Sequence, residues 1–184
     1  WRREQSLELT LLRRPELLDT APLTDADRDA LARLRRAHAV SETLNARGVA
    51  CERMPLRLAD EWPKRWFRAF VPEDRRREAK GPCLSGRRHV GCLWRAFSMG
   101  YAEALEGAAA LAKWREAALQ NALLYLPDDL LLFRVEGGLP EDLLSDQVIL
   151  SDEGLTRTFA STGRPGAGPY FAGAAGPSDC GEQP

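Results

Sequence analysis

Six residues near the start of this chain, Arg2, Arg3, Gln5, Ser6, Arg13 and Arg14, carry its most specific chemistry. A guanidinium is a planar fork that can meet two phosphate oxygens at once, and a serine hydroxyl or glutamine amide adds a hydrogen bond beside it. Four arginines with two such neighbours on a short helix therefore suit the gripping of a nucleic-acid backbone. The same residues would also serve as a solvated helix face, and charge alone favours that plainer reading. A second basic group, Arg75, Arg76 and Arg77 with Arg87 and Arg88, lies in a polar stretch rich in helix breakers and reads as solvated loop.

Other chemistries find less support. Cys83, His89 and Cys92 would make a thiolate–imidazole–thiolate set for zinc, but their spacing matches no C-x-x-C pair and a fourth ligand is missing, so no metal is expected. Ser6 or Ser98 as a nucleophile needs a histidine and an orienting carboxylate, and the chain has only His38 and His89. The acidic pairs Asp128-Asp129, Glu141-Asp142 and Asp152-Glu153 sit where turns want aspartate for backbone reasons. Trp62, Trp66, Phe67, Trp94, Phe97 and Trp114 could stack bases, yet aromatics at helical spacing read first as core. Gly163 to Gly168 has no following helix and is no phosphate loop. No catalytic residue is assigned.

The elements that must hold the six residues are helical. Leu7, Leu11, Leu12, Leu17 and Leu18 recur at helical spacing, and Pro15 ends the first helix. Because the pattern is already under way at Trp1 with no capping residue before it, the helix is expected to begin upstream. Thr24 caps a second helix, with Asp25 and Asp27 in its first turn and Ala30, Leu31, Leu34, Ala37 and His38 on one face; it runs toward Gly48. From Val49 the texture changes to a short apolar piece, then an aromatic helix from Trp62 to Phe70. Pro72 to Gly86 reads as loop, Leu93–Leu105 and Glu106–Leu119 as helices. Ala122–Leu126, Leu130–Val135, Gln147–Leu150 and Leu155–Ser161 read as strands of an antiparallel sheet with helices against one face.

The expected fold class is α+β, with a helical segment over 1–48, a small domain of helices on an antiparallel sheet over 49–172, and a disordered tail over 173–184. A hydrophobic content of 44 % in 184 residues suffices for one core. The net charge of −1 hides a gradient: 11 Arg against 11 acids in residues 1–63, 12 Lys and Arg against 6 acids in 64–125, and 3 Arg against 10 acids in 126–184. Polyanions would be met by the first two thirds and repelled by the last. Four scattered cysteines, with no long apolar run and no signal peptide, point to a reducing, cytoplasmic setting.

Trp1-Arg2, Gln5-Ser6-Leu7, Thr10, Arg13-Arg14-Pro15, Leu17-Leu18 and Leu23-Thr24-Asp25 stand in register with a pattern of the bacterial tRNA (guanine-N1)-methyltransferases, so that residues 1 to about 38 resemble the C-terminal helical segment of that family. The resemblance covers about a fifth of the chain. It implies an element that grips tRNA and completes a dimer through the methyltransferase domain, with Arg2, Arg3, Gln5, Ser6, Arg13 and Arg14 as tRNA contacts. In the family the S-adenosylmethionine pocket, its trefoil knot and the general base lie upstream of this segment, so this stretch binds no cofactor itself. Leu9 departs from the family, which commonly has a base there. Residues from about Ser41 to Phe171 resemble a small bacterial domain family of unknown function, through Leu93-Trp94-Arg95-Ala96-Phe97-Ser98 and Gly168-Pro169-Tyr170-Phe171. The reading that follows is the C-terminal part of a tRNA methyltransferase fused to an uncharacterised domain. Its alternative is a stand-alone, non-catalytic interaction domain that keeps a relic of the methyltransferase tail.

Overall fold

The structure, a computed structural model, describes residues 2–84, 92–117, 121–137 and 147–174. It opens with a helix α1 (Arg2–Arg13), a single turn α2 (Leu17–Thr20) and a long helix α3 (Asp25–Ala46). α3 begins where the sequence places a polar cap. The Asp27 N–H donates to Thr24 Oγ1 at 3.2 Å, while the Asp27 carboxylate accepts from the Thr24 N–H at 3.0 Å. Two first-turn donors are satisfied reciprocally, which fixes the start of the helix. Leu7, Leu18, Leu31 and Leu34 close a small apolar cluster between these helices.

Next come β1 (Ala50–Arg53), α4 (Leu56–Phe70), a 3₁₀ turn (Glu73–Arg75), α5 (Arg76–Leu84), α6 (Arg95–Ser98), β2 (Leu105–Glu106) and α7 (Ala108–Ala117). The chain then forms β3 (Asn121–Leu126), β4 (Leu131–Glu136), β5 (Gln147–Ser151), β6 (Arg157–Thr162) and β7 (Tyr170–Gly173). These seven strands make one antiparallel sheet in the order β1-β4-β3-β5-β6-β7-β2. The fold is α+β, with a helical region leading into a domain of helices on an antiparallel sheet. Among the described residues no helix is long and apolar enough to cross a membrane.

Helices cover both faces of the sheet rather than one. Strand side chains alternate between faces, so Tyr125 and Ile149 meet Trp62, Trp66, Phe70 and Phe97, whereas Leu124, Val148 and Leu150 meet Ala37 and Leu44 of α3 and Trp114 of α7. The reason lies in the sequence: β4 and β5 are nearly unbroken apolar runs, the mark of strands buried on both sides. The aromatics read as core are core, Trp66 being fully buried and Trp62, Phe67, Trp94, Phe97 and Trp114 nearly so. The indole N–H of Trp66 donates to Thr158 Oγ1 at 2.8 Å; that hydroxyl also accepts from Ser151 Oγ and donates to the Leu150 carbonyl at 2.9 Å.

Four elements differ from the sequence pattern. Within the stretch expected as loop, residues 73–84 form the 3₁₀ turn and α5, because Ala79 and Cys83 bury one face of a helix that carries Gly81 and Pro82 only near its end. The Arg76 guanidinium adds to this by donating to the Val71 and Arg68 carbonyls at the exit of α4. The helix expected over Leu93–Leu105 shrinks to α6, since Gly100 turns left-handed at φ 69° and Leu105 joins the edge strand β2. Gly107, at φ 64°, separates β2 from α7, which is shorter than the helix expected over Glu106–Leu119. α4 starts at Leu56, six residues before the aromatic face, with Pro63 inside it forgoing one backbone bond. Of the tail expected over 173–184, Gly173 instead closes β7 opposite Arg157 and the Ala174 N–H donates to the Thr156 carbonyl at 2.8 Å, while residues from 175 onward lie outside the described residues.

Thr158→Val keeps the shape of the side chain but leaves the Trp66 indole and Ser151 hydroxyl without their buried partner. A loss of about 1–3 kcal/mol in unfolding free energy is expected, read from urea denaturation followed by tryptophan fluorescence.

Candidate nucleic-acid interface

The orientation of α1 decides which of its side chains reach solvent. Leu7 is buried and Leu11 packs beside it in the small apolar cluster. On the same inward side Arg3 meets Asp27 in a fork, Nε to Oδ1 at 2.9 Å and Nη2 to Oδ2 at 3.0 Å. Asp27 is 6 % exposed and already bonded to Thr24, so Arg3, the cap of α3 and the first turn of α1 form one polar knot. The Arg3 guanidinium, hydrogen-bonded to the carboxylate, is the main cause holding Asp27 well below the usual carboxylate range; the Thr24 amide and hydroxyl add to it. Reciprocally, Asp27 raises Arg3 further above its ordinary value.

A second tie joins α1 to the sheet. Arg53 of β1, only 16 % exposed as a side chain, reaches Glu8 at 2.6 Å and Glu4 at 3.7 Å. α3 is likewise anchored: Arg36 meets Asp129 in the β3–β4 turn at 3.2 Å, and Arg33 approaches Asp60 of α4 at 3.8 Å.

With the inner side committed, the outer side of α1 presents the rest. Arg2, Gln5, Ser6, Arg13 and Arg14 line a single shallow groove of about 470 Å³, together with Leu9, Thr10 and Leu17. Positions 2, 5, 6, 9 and 13 fall on one helical stripe by the 3.6-residue repeat. Arg2 and Arg13 are exposed and have no ion-pair partner among the described residues, whereas Arg14 forms an exposed pair with Glu16, of the kind that binds weakly and exchanges readily. Five of the six residues singled out by the sequence are thus brought together, and Arg3 is turned away from them. Thr10, whose hydroxyl donates to the Ser6 carbonyl at 2.8 Å, was missed, although its place one turn after Ser6 would have put it on the stripe. Leu9, 51 % exposed, and Leu17, 47 % exposed, leave an apolar strip in this basic groove.

The remaining candidates separate. Arg75 approaches Glu78 at 3.6 Å and lies over the Tyr101 ring, and Arg76 is held by backbone carbonyls. Arg87, Arg88 and His89 lie outside the described residues, as do Trp1, Cys180 and the Glu141-Asp142 pair. Cys83 is fully buried in α5, where burial pushes its thiol up to about 12, and Cys92 is half-buried. Among the described residues no three His, Cys, Asp or Glu side chains are grouped to hold a metal. Among them, too, no hydrogen bond joins Ser6 or Ser98 to His38. The Asp152 carboxylate accepts from the Thr156 and Arg157 amides at 2.7 and 2.8 Å, which is the turn role expected of it.

The helical region thus offers arginines and small polar groups along one groove, and part of it is similar to known proteins. A 41-residue segment toward the N-terminus is 58 % identical to the tRNA (guanine-N(1)-)-methyltransferase of Actinobacillus pleuropneumoniae serotype 5b (strain L20), over 22 % of this chain and 16 % of that protein. The enzyme of the same description from Haemophilus ducreyi is 54 % identical over 41 residues, again 22 % and 16 % of the two chains. That of Corynebacterium aurimucosum is 68 % identical over 34 residues, 18 % of this chain and 12 % of its own. The chain therefore spans 16 % or less of the length of these relatives. No protein-family model matches the chain, and no solved structure does.

The Arg3–Asp27 fork sets a pH dependence whose sign follows from Asp27. A carboxyl held low in the folded chain contributes stability above its ordinary value of 3.8, and that contribution fades as pH falls below it toward the folded value. Arg3→Gln removes the largest cause of the shift. The acid midpoint for loss of helix, read by far-UV circular dichroism, is expected to move to higher pH in Arg3→Gln, while Arg13→Gln leaves it unchanged.

Proposed function

We propose that residues 1–48 form the tRNA-gripping C-terminal segment of a tRNA (guanine-N1)-methyltransferase, and that the domain over 49–172, of the small bacterial family with the Leu-Trp-x-x-Phe-Ser and Gly-Pro-Tyr-Phe marks, is fused to it. In this reading Arg2, Arg13 and Arg14 hold phosphates while Gln5 and Ser6 add hydrogen bonds. Arg3 serves as a positioning residue through Asp27. The observation that carries the proposal is the convergence of five residues on one groove within a segment 54–68 % identical to enzymes of that description.

The chemistry of the larger enzyme would be methyl transfer from S-adenosylmethionine to a ring nitrogen of guanine. This chain would supply binding and no cofactor pocket, in a cytoplasmic protein that pairs into a homodimer through its methyltransferase domain. Backbone contacts of this kind raise affinity without reading bases, so their loss should weaken all tRNA sequences alike.

Salt titration provides the test. Each lost phosphate contact lowers the slope of log K against log salt by about 0.7 to 0.9. Replacing Arg2 and Arg13 together by alanine should lower the slope for tRNA binding, measured by fluorescence anisotropy, by roughly 1.5. A triple alanine variant at Arg75, Arg76 and Arg77 should leave it unchanged. Should the triple variant flatten the slope while the Arg2/Arg13 variant does not, the RNA-binding surface belongs to the second domain.

A further inference from the structure

Arg53 stands on β1, in the domain that follows the helical segment, yet its side chain reaches back to α1. The ladder fixes its backbone: Arg53 pairs with Phe133 of β4, and the next residue, Met54, donates its N–H to the Leu132 carbonyl at 2.8 Å. From there Nη2 meets Glu8 Oε2 at 2.6 Å, while Nη1 lies 3.7 Å from Glu4 Oε1 and donates to the Met54 carbonyl at 3.4 Å. A largely buried guanidinium with two carboxylates and a carbonyl around it is held in one place, as an exposed pair is not.

The two ties of α1 lie on opposite flanks of its buried side. At about 100° per residue, Arg3 sits about 60° to one side of the line midway between Leu7 and Leu11, and Glu4 and Glu8 sit about 40° and 80° to the other. A helix held on one flank can roll about that contact; a helix held on both cannot. Arg2, Gln5, Ser6, Leu9 and Arg13 of the groove fall within about 60° of the opposite line, and neither tie uses a groove residue.

We infer that Arg53 is a positioning residue for RNA binding: through Glu8, the sheet domain sets the roll of α1 and so decides whether Arg2 and Arg13 meet phosphates together. Arg53, engaged with Glu8 and Glu4, acts without touching RNA itself. The inference rests on the tRNA reading and gives the domain over 49–172 a part in it, through one buried side chain and not through a basic surface of its own.

Glu8→Ala and Glu8→Gln each add one positive unit to α1, but only glutamine keeps an acceptor for Arg53. Long-range attraction alone would tighten tRNA binding equally in both. Positioning by Arg53 predicts that Glu8→Ala weakens tRNA binding by the full chain about fivefold or more in fluorescence anisotropy, while Glu8→Gln stays within about twofold of the unaltered chain. Glu8→Ala should also flatten the salt slope by about 0.7 to 0.9, the mark of one lost phosphate contact. Arg53→Met, which breaks the tie from the sheet side, should flatten it as well. α1 belongs to neither apolar cluster on the two faces of the sheet, so near-UV circular dichroism of all three variants should match the unaltered chain. Equal affinity in Glu8→Ala and Glu8→Gln, or an unchanged slope in Arg53→Met, would overturn the role of Arg53 and leave the tRNA reading standing. An unaltered chain whose tRNA binding shows no salt dependence would overturn that reading, and this one with it.

Discussion

The fork between Arg3 and Asp27 is the contact on which the candidate interface depends. Asp27 is buried at the first turn of α3, bonded to the Thr24 cap, and without Arg3 it would be a carboxylate with too few partners. Satisfying it rotates α1 so that Leu7 and Leu11 face inward and Arg2, Gln5, Ser6 and Arg13 face out. The Glu8–Arg53 pair then locks the same rotation against β1. One helix thus carries two separate uses of arginine: a forked, structural one and an exposed one that faces the groove.

The helical segment and the sheet are physically continuous. Ala37 and Leu44 of α3 lie among sheet side chains with Phe133, Val135 and Leu150, and Arg36 reaches the β3–β4 turn. The long helix of the N-terminal region is therefore anchored in a sheet covered on both sides. The opposite edge, beside β2, differs in charge and in shape, with a cavity rimmed by Asp74, Glu103 and Glu106 instead of a basic groove.

Much of this was legible from residues alone, and the parts that were not have a common cause. Thr24 as a cap, the leucine stripe of α1, the aromatic core and strands β3 to β6 all follow from local spacing, which the chain carries within a few residues. The groove residues were legible through the resemblance of residues 1 to about 38 to the methyltransferase segment, since charge alone favoured a plain solvated face. The role of Arg3 was not, since its partner lies 24 residues away, and neither was that of Glu8, whose partner Arg53 lies 45 away. α5 was hidden by Gly81 and Pro82, whose breaking tendency is overridden by burial of Ala79 and Cys83. β2 is two residues long and exists only because β7 offers it an edge, a dependence no local pattern encodes.

The central claim is that α1 turns its outer stripe toward an RNA backbone. The most direct measurement is an amide NMR titration of the full chain with tRNA, mapping which backbone signals move. Shifts are expected to concentrate on Arg2 to Arg14 along the stripe of Arg2, Gln5, Ser6 and Arg13, with Arg3 and Arg53 holding their ion pairs and the region of Asp74 and Glu103 silent. Shifts that cluster instead around Arg75 to Arg77, or that leave α1 unmoved at saturating tRNA, would contradict it.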